Sequence, residues 1–242
     1  TQSEQRIMAK ANRVGIIGDT HCPVMLEGYA EWCMDTFDSW DVNQIVHIGD
    51  LCDWHAMSFH QSESGYEDPV DELEKTITQV QHMQSVFGKK VKVLTGNHGA
   101  IPERKLAAFG VPPELLRKQA DILGIDWEFL PRYEKLRIDD YQLMHGDQGR
   151  GGKTPALAKA EADWTSTVCG HHHSAAGVWY GCNNNSRYWG MNVGCGVDHS
   201  HAAMAYGKTF AQKPMLGCGV VIDGTPYFEP MPKVNKYGRV VR

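Results

Sequence analysis

Aspartate, asparagine and histidine side chains recur in this sequence beside glycines that end short apolar runs. The set comprises Asp19 and His21, Asp50, Asn97 and His98, His145, and His171 and His173. An apolar run that stops at a glycine and a polar side chain is typical of a buried strand that reaches the carboxyl edge of its sheet. Five such places in one chain predict a shared polar site.

Carboxylate, amide and imidazole groups without any thiolate suit hard or borderline divalent metal ions. Asp19 and His21 lie two positions apart, as do His171 and His173. In extended backbone each pair would point to one side and could hold one ion. Together with Asp50, Asn97 and His145 they suit two ions that share one carboxylate. Two ions roughly 3.5–4 Å apart stabilise both the attacking and the leaving oxygen of a displacement at phosphorus.

Bulk properties favour one soluble domain. The chain has 242 residues, of which 42% are hydrophobic, and this is enough for one substantial core. Its seven cysteines include no Cys-x-x-Cys pair, so they predict neither a disulfide framework nor a thiolate zinc site. A formal charge of −5 gives no electrostatic footprint for sequence-independent DNA binding. Neither a signal-like apolar core near the N-terminus nor a membrane-length apolar run is present, so we expect a cytoplasmic protein without a membrane partner.

Strand and helix patterns alternate in the first half, which favours a parallel sheet. Strands are predicted at 14–17, 45–48 and 91–94, and helices at about 26–37, 69–87, 103–109 and 113–123. The second half has short strand patterns and one helix pattern at 154–164, which predict a second, mixed or antiparallel sheet packed on the first. We expect a polar arm over residues 1–12, one domain over 13–232 and a basic tail over 233–242.

The ordered motifs resemble those of the calcineurin-like metallophosphoesterases. They are Gly18-Asp19-Thr20-His21, Gly49-Asp50, Gly96-Asn97-His98, His145 and Gly170-His171-His172-His173. The resemblance implies an α/β fold, a four-layer αββα sandwich of two mixed sheets flanked by helices. Within that family, residues 49–60 are similar to those of small enzymes found in phage and prophage genomes.

The resemblance also implies a division of the ligands between two ions. One ion would be held by Asp19, His21, Asp50 and His173, and the other by Asp50, Asn97, His145 and His171. His98 would be the catalytic histidine that protonates the leaving group or steadies the phosphoryl oxygens. Mn²⁺ is the favoured metal, and Fe, Ni²⁺ or Zn²⁺ would also accept these ligands.

Two positions depart from the family pattern. Many members carry an acid directly after the Asn-His pair, whereas this chain has Gly99, so the group that orients His98 must come from elsewhere. Protein phosphatases of the family place a phosphate-binding arginine after the second aspartate of the Gly-Asp motif. Here Asp53 is followed by Trp54. The second departure argues against a phosphoprotein substrate.

The preferred function is hydrolysis of a phosphodiester, of nucleotide or nucleic-acid type, by water that the metal ions activate. Candidate substrate contacts are Asp53, Trp54, His55, His60 and Arg104. Trp54, His55 and His60, with Tyr66, would form an apolar, stacking rim for the second organic group of a diester. The alternatives are a phosphomonoesterase and a non-catalytic member of the fold that binds a partner. The oligomeric state is left open.

Overall fold

The computed structural model describes residues 12–58, 68–149, 151–184, 186–198, 213–234 and 240–241. Six strands form the first sheet: β1 (Arg13–Ile17), β2 (Gln44–His47), β3 (Val91–Leu94), β4 (Glu128–Leu130), β10 (Gly217–Ile222) and β11 (Thr225–Pro230). Their order is β11-β10-β1-β2-β3-β4. β1 to β4 are parallel, and β10 is antiparallel to both of its neighbours. The parallel part is confirmed, but three strands of the second half join this sheet and not the second one.

Five strands form the second sheet: β5 (Leu136–Ile138), β6 (Tyr141–Met144), β7 (Ser166–Cys169), β8 (Gly177–Cys182) and β9 (Arg187–Asn192). Their order is β5-β6-β7-β9-β8, with a parallel centre and two antiparallel edges. This is the predicted mixed sheet. Within the expected tail, β12 (Lys233–Val234) pairs antiparallel with β13 (Val240–Val241).

The helices are α1 (Tyr29–Ser39), α2 (Pro69–Phe87), α3 (Ile101–Ala108), α4 (Gln119–Leu123) and α5 (Pro155–Asp163). The helix predicted over 113–123 is instead a 3₁₀ turn at Pro113–Leu115 followed by α4. It is interrupted because Leu116 and Lys118 have extended backbone, with ψ of 138° and 142°. None of the helices in the described ranges combines the length and the apolar character needed to cross a membrane.

The first turn of α2 is stabilised in the way its sequence predicts. The Asp68 carboxylate accepts a hydrogen bond of 2.8 Å from the Val70 N–H, and Pro69 occupies the first turn. Val80, Met83 and Phe87 form its buried stripe, and the helix ends at Gly88. This helix also carries a buried Glu72, which contacts the site loop described below.

Alternation along β1 separates two hydrophobic cores. Ile16 packs between the two sheets with residues such as Leu143 of β6. Its neighbour Ile17 faces the other way and packs with Phe37 of α1 and Met83 of α2. α5 covers the outer face of the second sheet against β7 and β9. The predicted four-layer αββα sandwich is therefore confirmed.

Candidate metal centre

The candidate ligands follow the carboxyl ends of strands in both sheets. Asp19 follows β1, Asp50 follows β2, and Asn97 follows β3; His145 and His171 follow β6 and β7 of the second sheet. Because parallel strands end at the same edge, five separate segments deliver polar side chains to one place between the two sheets.

Three overlapping groups of side chains have donor atoms that lie within 4.8 Å of one another. They are Asp19 with His21 and His173, Asp50 with His145 and His171, and His21 with Asp50 and His98. Asp50 belongs to two of these groups. The arrangement has the form that two ions sharing one carboxylate would require.

Asp50 is the meeting point of the donors. Its Oδ2 lies 3.1 Å from His145 Nε2 and 3.8 Å from His21 Nε2. His145 Nε2 is also 3.1 Å from Asn97 Oδ1. The other carboxylate oxygen, Oδ1, accepts a 2.9 Å hydrogen bond from the His98 main-chain N–H, which fixes the carboxylate plane.

Asp19 forms the second meeting point. Its Oδ2 accepts a 2.9 Å hydrogen bond from the His171 N–H and lies 3.1 Å from His173 Nε2. Within the part of the chain that the structure describes, Asp19 Oδ1 and His21 Nε2 are buried and have no hydrogen-bond partner. Buried polar atoms without partners are costly. A divalent ion would satisfy both, so the donor set fits the metals that the sequence predicts.

The backbone differs from the extended form that the two-residue spacing suggests. His21, Asp50 and His171 all have left-handed φ, at 48°, 47° and 63°. As a result His171 joins the Asp50 group, whereas His173 joins the Asp19 group. His171 and His173 therefore lie in different donor groups and are not placed to bind the same ion. Left-handed backbone in non-glycine residues is uncommon and concentrates at functional sites.

Two glycines allow the loops to approach this closely. A Cβ atom on Gly96 would collide with the Asp50 carboxylate, and one on Gly170 would collide with that of Asp19. The recurrent glycines of the motifs therefore have a steric cause.

Asp53 is a buried carboxylate that contacts two histidines of the centre. It is 2% exposed, and its Oδ1 lies 2.7 Å from His21 Nδ1 and 2.9 Å from His98 Nδ1. The Asp53 carbonyl oxygen accepts a further 2.8 Å hydrogen bond from His98 Nδ1. With these contacts Asp53 takes the place of the missing acid after Asn97-His98 as the group that orients His98. A substrate contact by Asp53 stays a prediction.

The loop that carries Asp53 is held by α2. The buried Glu72 carboxylate accepts hydrogen bonds from the main-chain N–H groups of His55 (2.7 Å) and Ala56 (2.9 Å). These N–H groups begin the 3₁₀ turn at His55–Met57. Glu72 thereby fixes the segment directly after Asp53.

The other predicted substrate contacts have different outcomes. Trp54 is 3% exposed and packs in the core beneath the helices, not on an exposed rim, and its contact with substrate stays a prediction. His55 is half-buried, with Nδ1 3.9 Å from Asp53 Oδ2. Arg104 is exposed on α3, the helix that begins three residues after His98. His60 and Tyr66 lie outside the described residues.

Several buried polar residues that the motifs do not include hold the ligand loops. The Tyr29 hydroxyl accepts from the Gly18 N–H at 3.1 Å and donates to the Gly217 carbonyl at 2.7 Å. The Asn192 amide donates to the Gly170 carbonyl at 3.0 Å. The sequence signal for Tyr29 and Asn192 is a polar group within an otherwise apolar helix face or strand. Such a group needs a partner when it is buried.

The electrostatics of the centre favour ionised carboxylates. Burial by itself would raise the pKa of Asp50, but the histidines around it, His145 foremost, hold that pKa well below its usual range. Burial likewise lowers the pKa of His145, yet the Asp50 and Asp19 carboxylates raise it to about 9. For His98, burial is outweighed by the hydrogen bond to Asp53 and by the Asp50 and Asp53 charges, which raise its pKa to about 9.

Several solved structures are similar to this chain at low sequence identity. Vacuolar protein sorting 29 from Cryptosporidium parvum is 15% identical, with a TM-score of 0.44 over 91% of this chain and 97% of that one. The phosphoesterase Yfce from E. coli is 12% identical, with a TM-score of 0.41 over 95% and 97%. The nuclease MPE from Pseudomonas putida is 14% identical, with a TM-score of 0.32 over 90% and 87%.

No curated protein sequence matches the chain. The sequence profile described as calcineurin-like phosphoesterase, in contrast, matches residues 12–200 and so covers every candidate ligand. With the two-sheet fold and the shared carboxylate, this match shows that the chain belongs to the calcineurin-like phosphoesterase family of metal-dependent phosphoester hydrolases.

Proposed function

We propose that the protein is a dinuclear metal-dependent phosphodiesterase that acts on a nucleotide or nucleic-acid type of substrate. The observation that carries the proposal is the position of Asp50, whose Oδ2 lies 3.8 Å from His21 Nε2 of the Asp19 group and 3.1 Å from His145 Nε2 of the other group. A single ion would need only one group. A carboxylate shared between two groups supports two ions close together.

The donors are carboxylate, amide and imidazole groups, which accept Mn²⁺, Fe, Ni²⁺ or Zn²⁺, and Mn²⁺ is our preferred metal. Asp19, His21, Asp50 and His173 would hold one ion, and Asp50, Asn97, His145 and His171 the other. When bound, such ions polarise the phosphoryl oxygens and lower the pKa of water, which supplies the nucleophile.

His98 is the proton donor in this proposal. Its Nδ1–H is directed to the Asp53 carboxylate and carbonyl, which leaves Nε2 as the ring nitrogen that can reach a substrate. Burial lowers the pKa of this imidazole, but the hydrogen bond to Asp53 and the Asp50 and Asp53 charges raise it, which favours the protonated form. His98 can therefore give a proton to the leaving alkoxide or aryloxide as the ester bond breaks.

The preference for a diester over a monoester substrate rests on the charges around the centre. A monoester dianion gains from a fixed arginine fork, and the position where the family's protein phosphatases carry that arginine holds the buried Trp54. Arg132 follows β4 at the same edge, but its Nη2 lies 2.7 Å from Asp147 Oδ2. Much of its charge is therefore already compensated. A diester carries less charge and needs less compensation.

A cavity lies along the edge strand of the first sheet. It has a volume of about 530 Å³, runs along β4 and reaches Thr95, two residues before Asn97. Its lining combines the Phe129 ring with polar side chains such as Gln119. Pockets for drug-sized ligands have similar volumes and similar mixed linings.

The test compares bis(p-nitrophenyl) phosphate with p-nitrophenyl phosphate on protein loaded with Mn²⁺, Ni²⁺ or Zn²⁺. We expect a higher kcat/KM for the diester in at least the Mn²⁺ form. The His98→Ala variant, prepared identically, reports any contaminating phosphatase. A monoester preference of tenfold or more with all three metals would replace the diesterase with a phosphomonoesterase. Absence of turnover with both esters, despite bound metal, would favour the non-catalytic alternative.

A further inference from the structure

His47 is a fully buried histidine inside β2 that belongs to none of the donor groups. Its Nδ1 accepts a 3.2 Å hydrogen bond from the Gly49 N–H. Its Nε2 lies 3.0 Å from the Thr20 hydroxyl oxygen. Both ring nitrogens therefore have partners, and each partner lies in a different metal-ligand loop.

The hydrogen bonds define which nitrogen carries the proton. Since a main-chain N–H can only donate, Nδ1 must accept, and Nε2–H must be the donor to Thr20 Oγ1. The Thr20 hydroxyl in turn donates to the Leu51 carbonyl at 3.1 Å. Burial lowers the pKa of His47 to about 4, so the neutral form required by this pattern is the one present at pH 7.

One peptide group connects His47 with a candidate ligand in the other sheet. The Gly49 N–H and the Ile48 carbonyl belong to the same peptide plane. The N–H donates to His47, and the carbonyl accepts a 3.2 Å hydrogen bond from His145 Nδ1. This peptide is held between two imidazoles, and its position sets the direction of His145 Nε2.

On the Nε2 side, the His47 ring contacts Thr20, which belongs to the Asp19–His21 loop. Thr20 lies between Asp19 and His21, and the main-chain N–H groups of Thr20 and His21 donate to the Asp50 carbonyl at 3.2 and 2.9 Å. The Thr20–Leu51 hydrogen bond adds a side-chain link between the same two loops. The left-handed backbone of His21 and Asp50 is thus held from both sides.

We propose that His47 is a positioning residue of the metal centre, which sets the relative placement of the Asp19–His21 loop, the Asp50 loop and His145 through the Gly49 peptide and Thr20. This inference rests on the proposed two-ion centre but not on the identity of the substrate. Outer partners of metal ligands typically contribute on the order of 10–100-fold to metal affinity or activity.

Metal affinity of the full chain is the decisive readout, measured by titrating metal-depleted protein with Mn²⁺ in a calorimeter. We expect His47→Leu, which removes both hydrogen bonds, to weaken Mn²⁺ binding by on the order of 10–100-fold. His47→Gln can keep the donor to Thr20, and His47→Asn can keep the acceptor for Gly49. Each of these two variants should lose less Mn²⁺ affinity than His47→Leu does. A residue that only filled space would not show this partial rescue.

A buried amide away from the centre serves as the matched control. Gln142, near the start of β6, is fully buried and donates to Asp163 and Thr167. Gln142→Leu should lower the unfolding temperature but leave Mn²⁺ affinity unchanged. If His47→Leu does not fold, Thr20→Val removes the same link isosterically and should weaken Mn²⁺ binding in the same direction.

The outcomes separate the inference from the function on which it rests. Wild-type protein that binds no divalent ion would overturn the proposed function. Wild-type protein that binds Mn²⁺, together with His47 and Thr20 variants of unchanged affinity, would overturn the positioning role of His47 alone. A loss of affinity in Gln142→Leu equal to that in His47→Leu would also overturn it, because the effect would then follow from stability.

Discussion

Asp53 Oδ1 lies 2.9 Å from His98 Nδ1 and 2.7 Å from His21 Nδ1, so one carboxylate oxygen holds the proposed proton donor and a candidate metal ligand. The two imidazole rings meet edge to face, with centroids 4.5 Å apart. Both Nδ1 atoms are directed to the carboxylate, which turns both Nε2 atoms to the other side of the rings. A shift of Asp53 would therefore move both the candidate ligand His21 and the proposed proton donor His98.

The first prediction is that Asp53→Asn moves the basic limb of the kcat profile to lower pH. His98 acts as an acid only while protonated, so activity is lost as pH rises through the pKa of His98, which the hydrogen bond and charge of Asp53 help to raise. Removal of the Asp53 charge leaves burial as the larger influence, and burial lowers this pKa. The loss of activity should then begin at a lower pH. The measurement is kcat against pH with saturating Mn²⁺.

Metal content is the control for this variant, because Asp53 also holds His21. Both ions should remain at saturating Mn²⁺, although the affinity at the His21 position should fall. An unchanged basic limb in a fully loaded variant would contradict the role of Asp53.

The second prediction separates catalyst from ligand. His98→Ala should lower kcat by ~10²–10⁴-fold, as is usual when a general acid is lost, while both ions and the fold are retained. His98 is 25% exposed, so its truncation leaves no large buried cavity. Turnover within a few-fold of wild type would exclude the proton-donor role. Loss of an ion would instead identify His98 as a ligand, which the third donor group would allow.

Sequence patterns locate the candidate ligands because they mark where buried strands end. Strand termini are local features, set by apolar runs and glycines, and parallel topology brings them together. The left-handed backbone of Asp50 and His171 is not local in this sense. It depends on contacts such as the His98 N–H to Asp50 Oδ1, which join segments 48 residues apart. Spacing alone therefore could not show that His171 and His173 diverge.

The burial of Asp53 and Trp54 has a related cause. Both directly precede the polar stretch 55–67, which the sequence predicts as a rim of the site. Burial of the two residues depends on α2, whose Glu72 binds the following turn and whose Met83 shares a core with Trp54. Long-range packing of this kind overrides local polarity, and a single sequence carries no direct signal for it.

The third prediction follows from the burial of Trp54. Trp54→Ala should lower the free energy of unfolding by about 3–5 kcal/mol, the usual cost of truncating a buried aromatic residue. It should leave the ratio of diester to monoester kcat/KM unchanged, because the indole does not reach the substrate. Phe109→Ala, at a position that is 81% exposed, is the matched control and should change stability little. Denaturant unfolding and the two esters provide the measurements, and a selective loss of diester turnover would restore Trp54 to the substrate rim.

The last prediction tests the shared carboxylate directly by comparing two conservative variants. Asp50 lies in two donor groups, whereas Asp19 lies in one. Each substitution by asparagine keeps the volume and removes one charge, so the two variants differ mainly in how many ions lose a carboxylate. Asp50→Asn should weaken both ions and leave less than one equivalent after gel filtration. Asp19→Asn should lose only the ion at the Asp19, His21 and His173 position and keep about one equivalent. Elemental analysis of protein loaded identically with Mn²⁺ gives the counts. If Asp50→Asn retained two ions, the carboxylate would not bridge them, and equal losses in both variants would mean that the two positions are not independent.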